Sequence, residues 1–349
     1  MKASVLTQYG RVVWKDVELP KIGPSGVLVR VHYASICGSD QHVFHGEFHP
    51  RTSPPLIQGH EFGGTIVEVG PAVSRFQAGD RVTVDPIYWC GHCAACQLRH
   101  YPACSSLKLV GVDSDGGFAQ YAAVREFMLH KLDASVSDRH AAMVELLSIG
   151  FHACRRAGLK QGDTLAIFGA GRVGQSILQA ACTITERPVF MVDVLPSRLA
   201  LAKKTWEQVV AVNALEQDPA AAIRELTAGR GVDVAIEAVG HAREVPGHAH
   251  PVCQCVEAIR GAGTVCVLGL ADQPVPLVMK NLIWKEARLV ASRVTHGEFA
   301  ETIAQLSRGR LKPDALITCE MPASEAQRAF ELLETRPQDY LKILLAMPA

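Results

Sequence analysis

Apolar positions change their period partway along the chain. Up to about residue 150 they alternate in short runs, as in Val27-Leu28-Val29-Arg30-Val31-His32, Gly64-Thr65-Ile66-Val67-Glu68-Val69-Gly70 and Asp80-Arg81-Val82-Thr83-Val84-Asp85. Glycine and proline separate these runs, and Gly23-Pro24-Ser25-Gly26 precedes the first. A period of two with turn residues between predicts short strands, and many such strands predict a compact, mostly antiparallel, barrel-like domain. From about residue 163 apolar strand-like runs alternate with helical periodicity. Strands are predicted over 164–168, 189–192, 209–212, 232–237, 264–268 and 288–291, and helices over 173–183, 197–204, 219–227 and 252–260. That alternation predicts a parallel sheet with helices on both faces, and so an α/β chain of two domains.

Composition fits this division. A chain of 349 residues suits two domains, and 48% hydrophobic against 20% charged residues supplies material for their cores. Lys+Arg and Asp+Glu number 35 each, which argues against nucleic acid or an anionic membrane as partner. Met1-Lys2-Ala3-Ser4-Val5-Leu6 lacks the apolar core of a signal peptide, and no apolar run is long enough to span a bilayer. The expectation is a cytoplasmic protein.

Two of the cysteine patterns point to metal. Cys90, Cys93, Cys96 and Cys104 follow C-x2-C-x2-C-x7-C. Four thiolates this close suit one tetrahedral zinc with no open position, a structural site. Cys37 and the run Gly59-His60-Glu61-Phe62-Gly63-Gly64 offer thiolate, imidazole and carboxylate, a mixture that suits a zinc with a position left free. The remaining six of the 11 cysteines read as free thiols of a reducing compartment.

The second domain opens with a nucleotide fingerprint. The apolar run Thr164-Leu165-Ala166-Ile167-Phe168 leads into Gly169-Ala170-Gly171-Arg172-Val173-Gly174 and then an apolar helix. This is G-x-G-x-x-G in the strand–turn–helix setting that a dinucleotide pyrophosphate requires. Gly169, Gly171, Arg172, Val173 and Gly174 are its candidate cofactor contacts. Asp193, nineteen residues past Gly174, is placed to accept hydrogen bonds from the adenosine ribose and to repel a 2′-phosphate. Arg198 is a group that could reach toward such a phosphate. The charge at Asp193 favours NAD over NADP.

A zinc with an open position beside a nicotinamide implies alcohol oxidation: the metal acidifies the hydroxyl and the cofactor accepts the hydride. In Cys37-Gly38-Ser39-Asp40-Gln41-His42, Ser39 is close enough to Cys37 to meet the substrate oxygen. His42 has a suitable pKa to pass the proton onward. The plainer alternative is that Ser39 caps a helix and His42 is a surface residue.

These residues carry a resemblance. Gly59-His60-Glu61, the four-cysteine lobe, Asp115-Gly116-Gly117-Phe118-Ala119-Gln120-Tyr121 and the nucleotide loop resemble those of the zinc-containing medium-chain dehydrogenase/reductase family over essentially the whole chain. The likeness is greatest to sorbitol, threonine and L-gulonate or L-galactonate dehydrogenases. It implies a GroES-like, mostly β catalytic domain over 1–150, completed by 292–349, and a Rossmann domain with a doubly wound parallel sheet over 151–291. It implies a homodimer or homotetramer. It places Glu145 as a zinc ligand, directly or through water, and Glu61 as the alternate one; residue patterns alone make Glu145 a helix-surface carboxylate. Arg293 matches a substrate-contacting arginine of the polyol dehydrogenases. Three positions depart from the family: Leu146 and Arg172 stand where proline is usual, and Thr205-Trp206-Glu207-Gln208 replaces a commoner Leu-Gly-Ala segment. The His-rich stretch 241–250 reads as a polar loop, with a third metal site as the alternative.

The expected function is oxidation of a secondary alcohol of a polyol or sugar acid by NAD with zinc at the site. The alternatives are a threonine or simple secondary-alcohol dehydrogenase, and a catalytically silent NAD(H)-binding relative.

Overall fold

The structure is a computed structural model and describes residues 1–240, 249–271 and 274–348. The chain divides into two compact units. One comprises Met1–Glu145, Thr295–Gly309 and Leu316–Ala349, the other Leu146–Val294 and Arg310–Ala315.

In the first unit the alternating runs become a seven-stranded sheet around Gly26–Ser35. This strand pairs antiparallel with Glu61–Val69. Tyr121–Arg125 pairs with its first half and Lys342–Ala346 with its end. The registers set Ser35 opposite both Glu61 and Leu344. The strand expected from residue 64 therefore begins at Glu61, which carries the His60-Glu61 pair to its head. A smaller sheet sets Lys2–Gln8 between Arg11–Asp16 and Leu56–Ile57. Val27, Val29, Ile36, Phe62, Phe118 and Phe330 belong to the core these strands enclose.

In the second unit six parallel strands run in the order Val209–Asn213, Val189–Asp193, Leu165–Phe168, Val232–Glu237, Ile259–Val267, Arg288–Ala291. The first strand in sequence lies in the middle, and the order reverses beside it. Ligands of open α/β sheets bind at such a switch point, outside the carboxyl ends of the strands. Helices Arg172–Ile184, Pro196–Thr205, Pro219–Leu226 and Pro251–Ala258 fall where their periodicity predicts. The last ends two residues early because Ile259 already pairs with Val232. The register then shifts before Val234, opposite a stretch that holds Gly261 and Gly263. Among the described residues no helix is long and apolar enough to cross a membrane.

Candidate active site and metal centres

Cys37 ends the central strand's extension and caps helix Gly38–Phe44. Asp40, in the first turn, accepts the Cys37 backbone N–H at 2.8 Å. The cap thus fixes the angle at which the thiol leaves the chain. His60 and Glu61 arrive on the neighbouring strand. Ligand atoms of Cys37, His60 and Glu61 lie within 4.8 Å of one another, a group able to hold a metal ion. Glu61 belongs to this group and Glu145 does not, although Glu145 is within electrostatic reach of Glu61, His60 and Cys37.

Glu145 is no surface carboxylate. It opens helix Val144–Ala157 with 3% exposure, and its Oε2 has no hydrogen-bond partner. A helical position says nothing about which groups a side chain meets, and here Glu61, His60 and Cys37 are close enough to act on its charge.

The charges around this cluster act on one another. Burial pushes Glu145 well above the usual carboxylate range, and the nearby Glu61 adds to it. Burial and Glu61 also act to raise the Cys37 thiol, but His60 and Lys342 outweigh them and bring it below its ordinary value. Burial disfavours a charged His60, yet Asp40 and Cys37 pull its proton affinity well above normal. Three acidic groups surround Lys342, the one fully buried ammonium among the described residues. A thiol, an imidazole and two carboxylates gathered this closely are donors that suit a dication. The residues present therefore fit a zinc ion.

Three neighbours of this cluster were not anticipated. Asp40 is fully buried, with Oδ1 3.4 Å from His60 Nδ1, the carboxylate support a metal-bound imidazole usually has. Its signal was a carboxylate three residues from a ligand cysteine. Ser35 and Lys342 contact Glu61 and had no such local signal. Ser39 Oγ lies 3.2 Å from His60 Nε2. His42 pairs through Nδ1 with Glu47 and stacks on Phe48 at 5.7 Å.

The four-cysteine lobe closes as its spacing predicts. All four Sγ atoms lie within 4.8 Å of one another, with Cys90 3.6 Å from Cys104 and 3.9 Å from Cys96. A tetrahedron of Zn–S bonds has edges of about 3.8 Å, so these thiols fit one zinc. Backbone N–H groups of Cys96 and Ser105 bring the Cys93 thiol down to about 5, which prepares it as a thiolate.

In the second unit Gly169 has φ +101°, a conformation that disfavours side chains, and a Cβ at Gly174 would lie 1.7 Å from the Gly169 carbonyl. Gly171 caps helix Arg172–Ile184, and a Cβ there would meet nothing nearer than the Arg198 guanidinium at 3.7 Å. The approach to this helix N-terminus is the kind of place where a pyrophosphate binds. Val173 and Arg172 form the helix's first turn. Asp193 ends its strand, and its carboxylate accepts N–H bonds from Ala170 at 2.6 Å and Leu195 at 2.8 Å. Arg198 lies 4.0 Å away. This arrangement fits a dinucleotide.

Arg293 is exposed on the segment after strand Arg288–Ala291. Of the His-rich stretch, 241–248 lies outside the described residues. His250 caps helix Pro251–Ala258, its Nδ1 accepting Val252 N–H at 3.2 Å. The segment 205–208 is the end of helix Pro196–Thr205 and its exit into strand Val209–Asn213.

Known proteins share these features. Residues 23–134 match the alcohol dehydrogenase GroES-like domain and 173–308 the zinc-binding dehydrogenase family. D-arabitol-phosphate dehydrogenase of Enterococcus avium is 33% identical, over 95% of this chain and 96% of its own. Sorbitol dehydrogenase of Halalkalibacterium halodurans is 33% identical over 99% of both chains. Among solved structures, the rspB alcohol dehydrogenase of E. coli CFT073, complexed with NADH, has a TM-score of 0.89 at 28% identity over 99% of both chains. A protein of Sinorhizobium meliloti 1021 described as a zinc-binding dehydrogenase, bound to NADP, also has a TM-score of 0.89 at 28% identity, over 99% of this chain and 98% of its own. The chain belongs to the zinc-containing medium-chain dehydrogenase/reductase family, an oxidoreductase acting on CH–OH donors with zinc and NAD(P) as cofactors.

Proposed function

We propose that the protein oxidises a secondary alcohol of a polyol or sugar acid to a ketone, with NAD as the acceptor. The observation that carries this reading is the Cys37–His60–Glu61 cluster, half-buried at Cys37 and buried at the other two, with Glu145 beside it. Zinc held there would supply Lewis-acid activation of the alcohol, and the nicotinamide would accept hydride. The chain's own part is to bind and orient. Cys37, His60 and one carboxylate hold the metal, and Asp40 fixes the His60 ring. Ser39 relays the hydroxyl proton, accepting it at Oγ as it gives up its own hydrogen, and His42 is the group that receives it and passes it to solvent.

NAD is favoured over NADP by the Asp193 carboxylate, which would repel a 2′-phosphate. Acceptance of NADP is the second reading, and what favours it is Arg198, 4.0 Å from that carboxylate. A polyol is favoured by the names of the two relatives above, and a polyol or a sugar acid alike by Arg293, proposed to bond substrate hydroxyls or a carboxylate.

We infer a homodimer or homotetramer, supported by an apolar surface on helix Met279–Lys285, where Ile283 is 71% and Trp284 75% exposed, just before the edge strand Arg288–Ala291. A reducing cytoplasm is supported by the six cysteines outside the two metal clusters, all of them free thiols.

The test is the absorbance of reduced nicotinamide across polyols, aldonates and L-threonine, each with NAD and with NADP. Turnover of a polyol or aldonate with NAD is expected. Turnover of threonine alone, or equal kcat/KM for the two cofactors, would overturn the assignment. With an aldonate, Arg293→Ala should raise KM far more than with the matching polyol.

A further inference from the structure

We propose that Lys342 is a positioning residue for the metal site. It grips Glu61 by one oxygen and presents the other to the Cys37–His60 position as a ligand weak enough to be released. The proposal rests on the reading that this cluster holds zinc.

Lys342, Glu61 and Ser35 have no exposed surface. The Lys342 ammonium donates to Glu61 Oε2, to Ser35 Oγ at 3.1 Å and to the Ile36 carbonyl at 3.1 Å. Its three N–H groups are thereby all used. Ser35 Oγ donates to the same Glu61 oxygen. Oε2 is thus held twice, while Oε1 is buried with no hydrogen-bond partner. A carboxylate serving only to neutralise a buried lysine would have both oxygens satisfied. Here the one left open belongs to a side chain grouped with Cys37 and His60.

The backbone enforces the arrangement. Ser35 stands opposite Glu61 across one strand pair and opposite Leu344 across the other, and Lys342 begins the strand that carries Leu344. The ammonium draws charge from the carboxylate, so Oε1 is a poorer donor to a dication than a free carboxylate would be. A ligand so tempered can bind the metal and let it go, leaving a position for an incoming alcohol.

Lys342→Met removes that restraint and leaves Glu61 with its full charge beside the metal. Three readouts follow in the whole enzyme: zinc release timed with a chromogenic chelator, the visible absorption of the Co²⁺-substituted protein, and kcat against KM. Lys342→Met should slow zinc release from this site by about tenfold or more, change the Co²⁺ bands, and lower kcat by about tenfold with KM moved less. Lys342→Arg should keep wild-type Co²⁺ bands. Adding Glu61→Gln to Lys342→Met should return both the bands and the release rate. If Lys342→Met does not fold, Lys342→Gln, which still donates to Glu61 but carries no charge, takes its place with the same expectations. Unchanged release and bands, or faster zinc loss, would overturn the proposal and leave Lys342 as a counter-charge only. The two readings fail separately. A wild type that keeps zinc only in the four-cysteine lobe removes the zinc reading of the cluster, whereas a loaded wild type with indifferent Lys342 variants removes only this proposal.

Discussion

Asp40 stands directly behind His60, its Oδ1 3.4 Å from the ring's Nδ1, with both side chains cut off from solvent. The same carboxylate takes the Cys37 N–H at 2.8 Å, so one residue stands against two of the candidate metal ligands. Asp40→Asn keeps the shape and removes the charge. It should weaken zinc binding at this site by roughly 10–100-fold, the usual cost of losing such a support, while the four-cysteine zinc stays. Metal titration against a competing chelator checks it; unaltered affinity would make Asp40 a helix cap alone.

Ser39 Oγ meets His60 Nε2 at 3.2 Å, while His42 is turned to Glu47 and Phe48. Ser39→Ala should cut alcohol oxidation by about 100-fold or more, the scale of a lost proton-transfer group, with zinc content unchanged. His42→Ala should slow it only mildly, with partial rescue by buffer bases or high pH. An undiminished kcat in Ser39→Ala would place the proton's path elsewhere.

Cys93 sits in a lobe of four sulfurs at zinc-binding separation. Cys93→Ser should lose about one zinc per chain and lower Tm by roughly 10 °C or more, because binding at a structural site is part of the folding free energy. Metal analysis beside a melting curve decides it; full zinc content with unchanged Tm would refute the structural role.

Asp85 is pushed up to about 7, by burial first and by Glu298 in addition, against bonds from Ile87 N–H and Thr295 Oγ1 that act to lower it. A carboxylate whose folded pKa lies above its unfolded value holds its proton more tightly when folded. Its contribution is therefore full below about pH 4 and is lost as pH rises through about 7. Asp85→Asn, which cannot ionise, should gain clearly more Tm over wild type at pH 8 than at pH 5. Equal differences at the two pH values would show that Asp85 ionises freely in the fold.

What the sequence revealed and what it concealed divide by distance along the chain. The four cysteines, the glycine loop with Asp193, and Cys37 with Ser39 are local: the chemistry needs those residue types at those spacings, so the spacing itself announces them. Alternation and helical period likewise located the sheet strands of the second unit to within a few residues. Lys342 meets Glu61 across 281 residues and Ser35 across 307. In sequence it is an ordinary lysine in an apolar C-terminal run, and only strand pairing shows that it is buried. Glu145 is similar, since helical periodicity cannot distinguish a solvated first turn from one facing a metal site. Asp40 lies between the two cases: it is three residues from Cys37 in sequence, but its place behind His60 comes from the fold.

The central claim is that alcohol oxidation runs on the metal cluster at Cys37 and His60. Its most direct test is the rate of reduced-nicotinamide formation from a polyol or aldonate with NAD, in wild type and in Cys37→Ala, before chelation, after it, and after zinc is returned. The rate in wild type should vanish with the metal and come back with it. Cys37→Ala should give no rate while still binding NADH, as seen by the cofactor's fluorescence. Oxidation that persists in the metal-free enzyme or in Cys37→Ala would contradict the account.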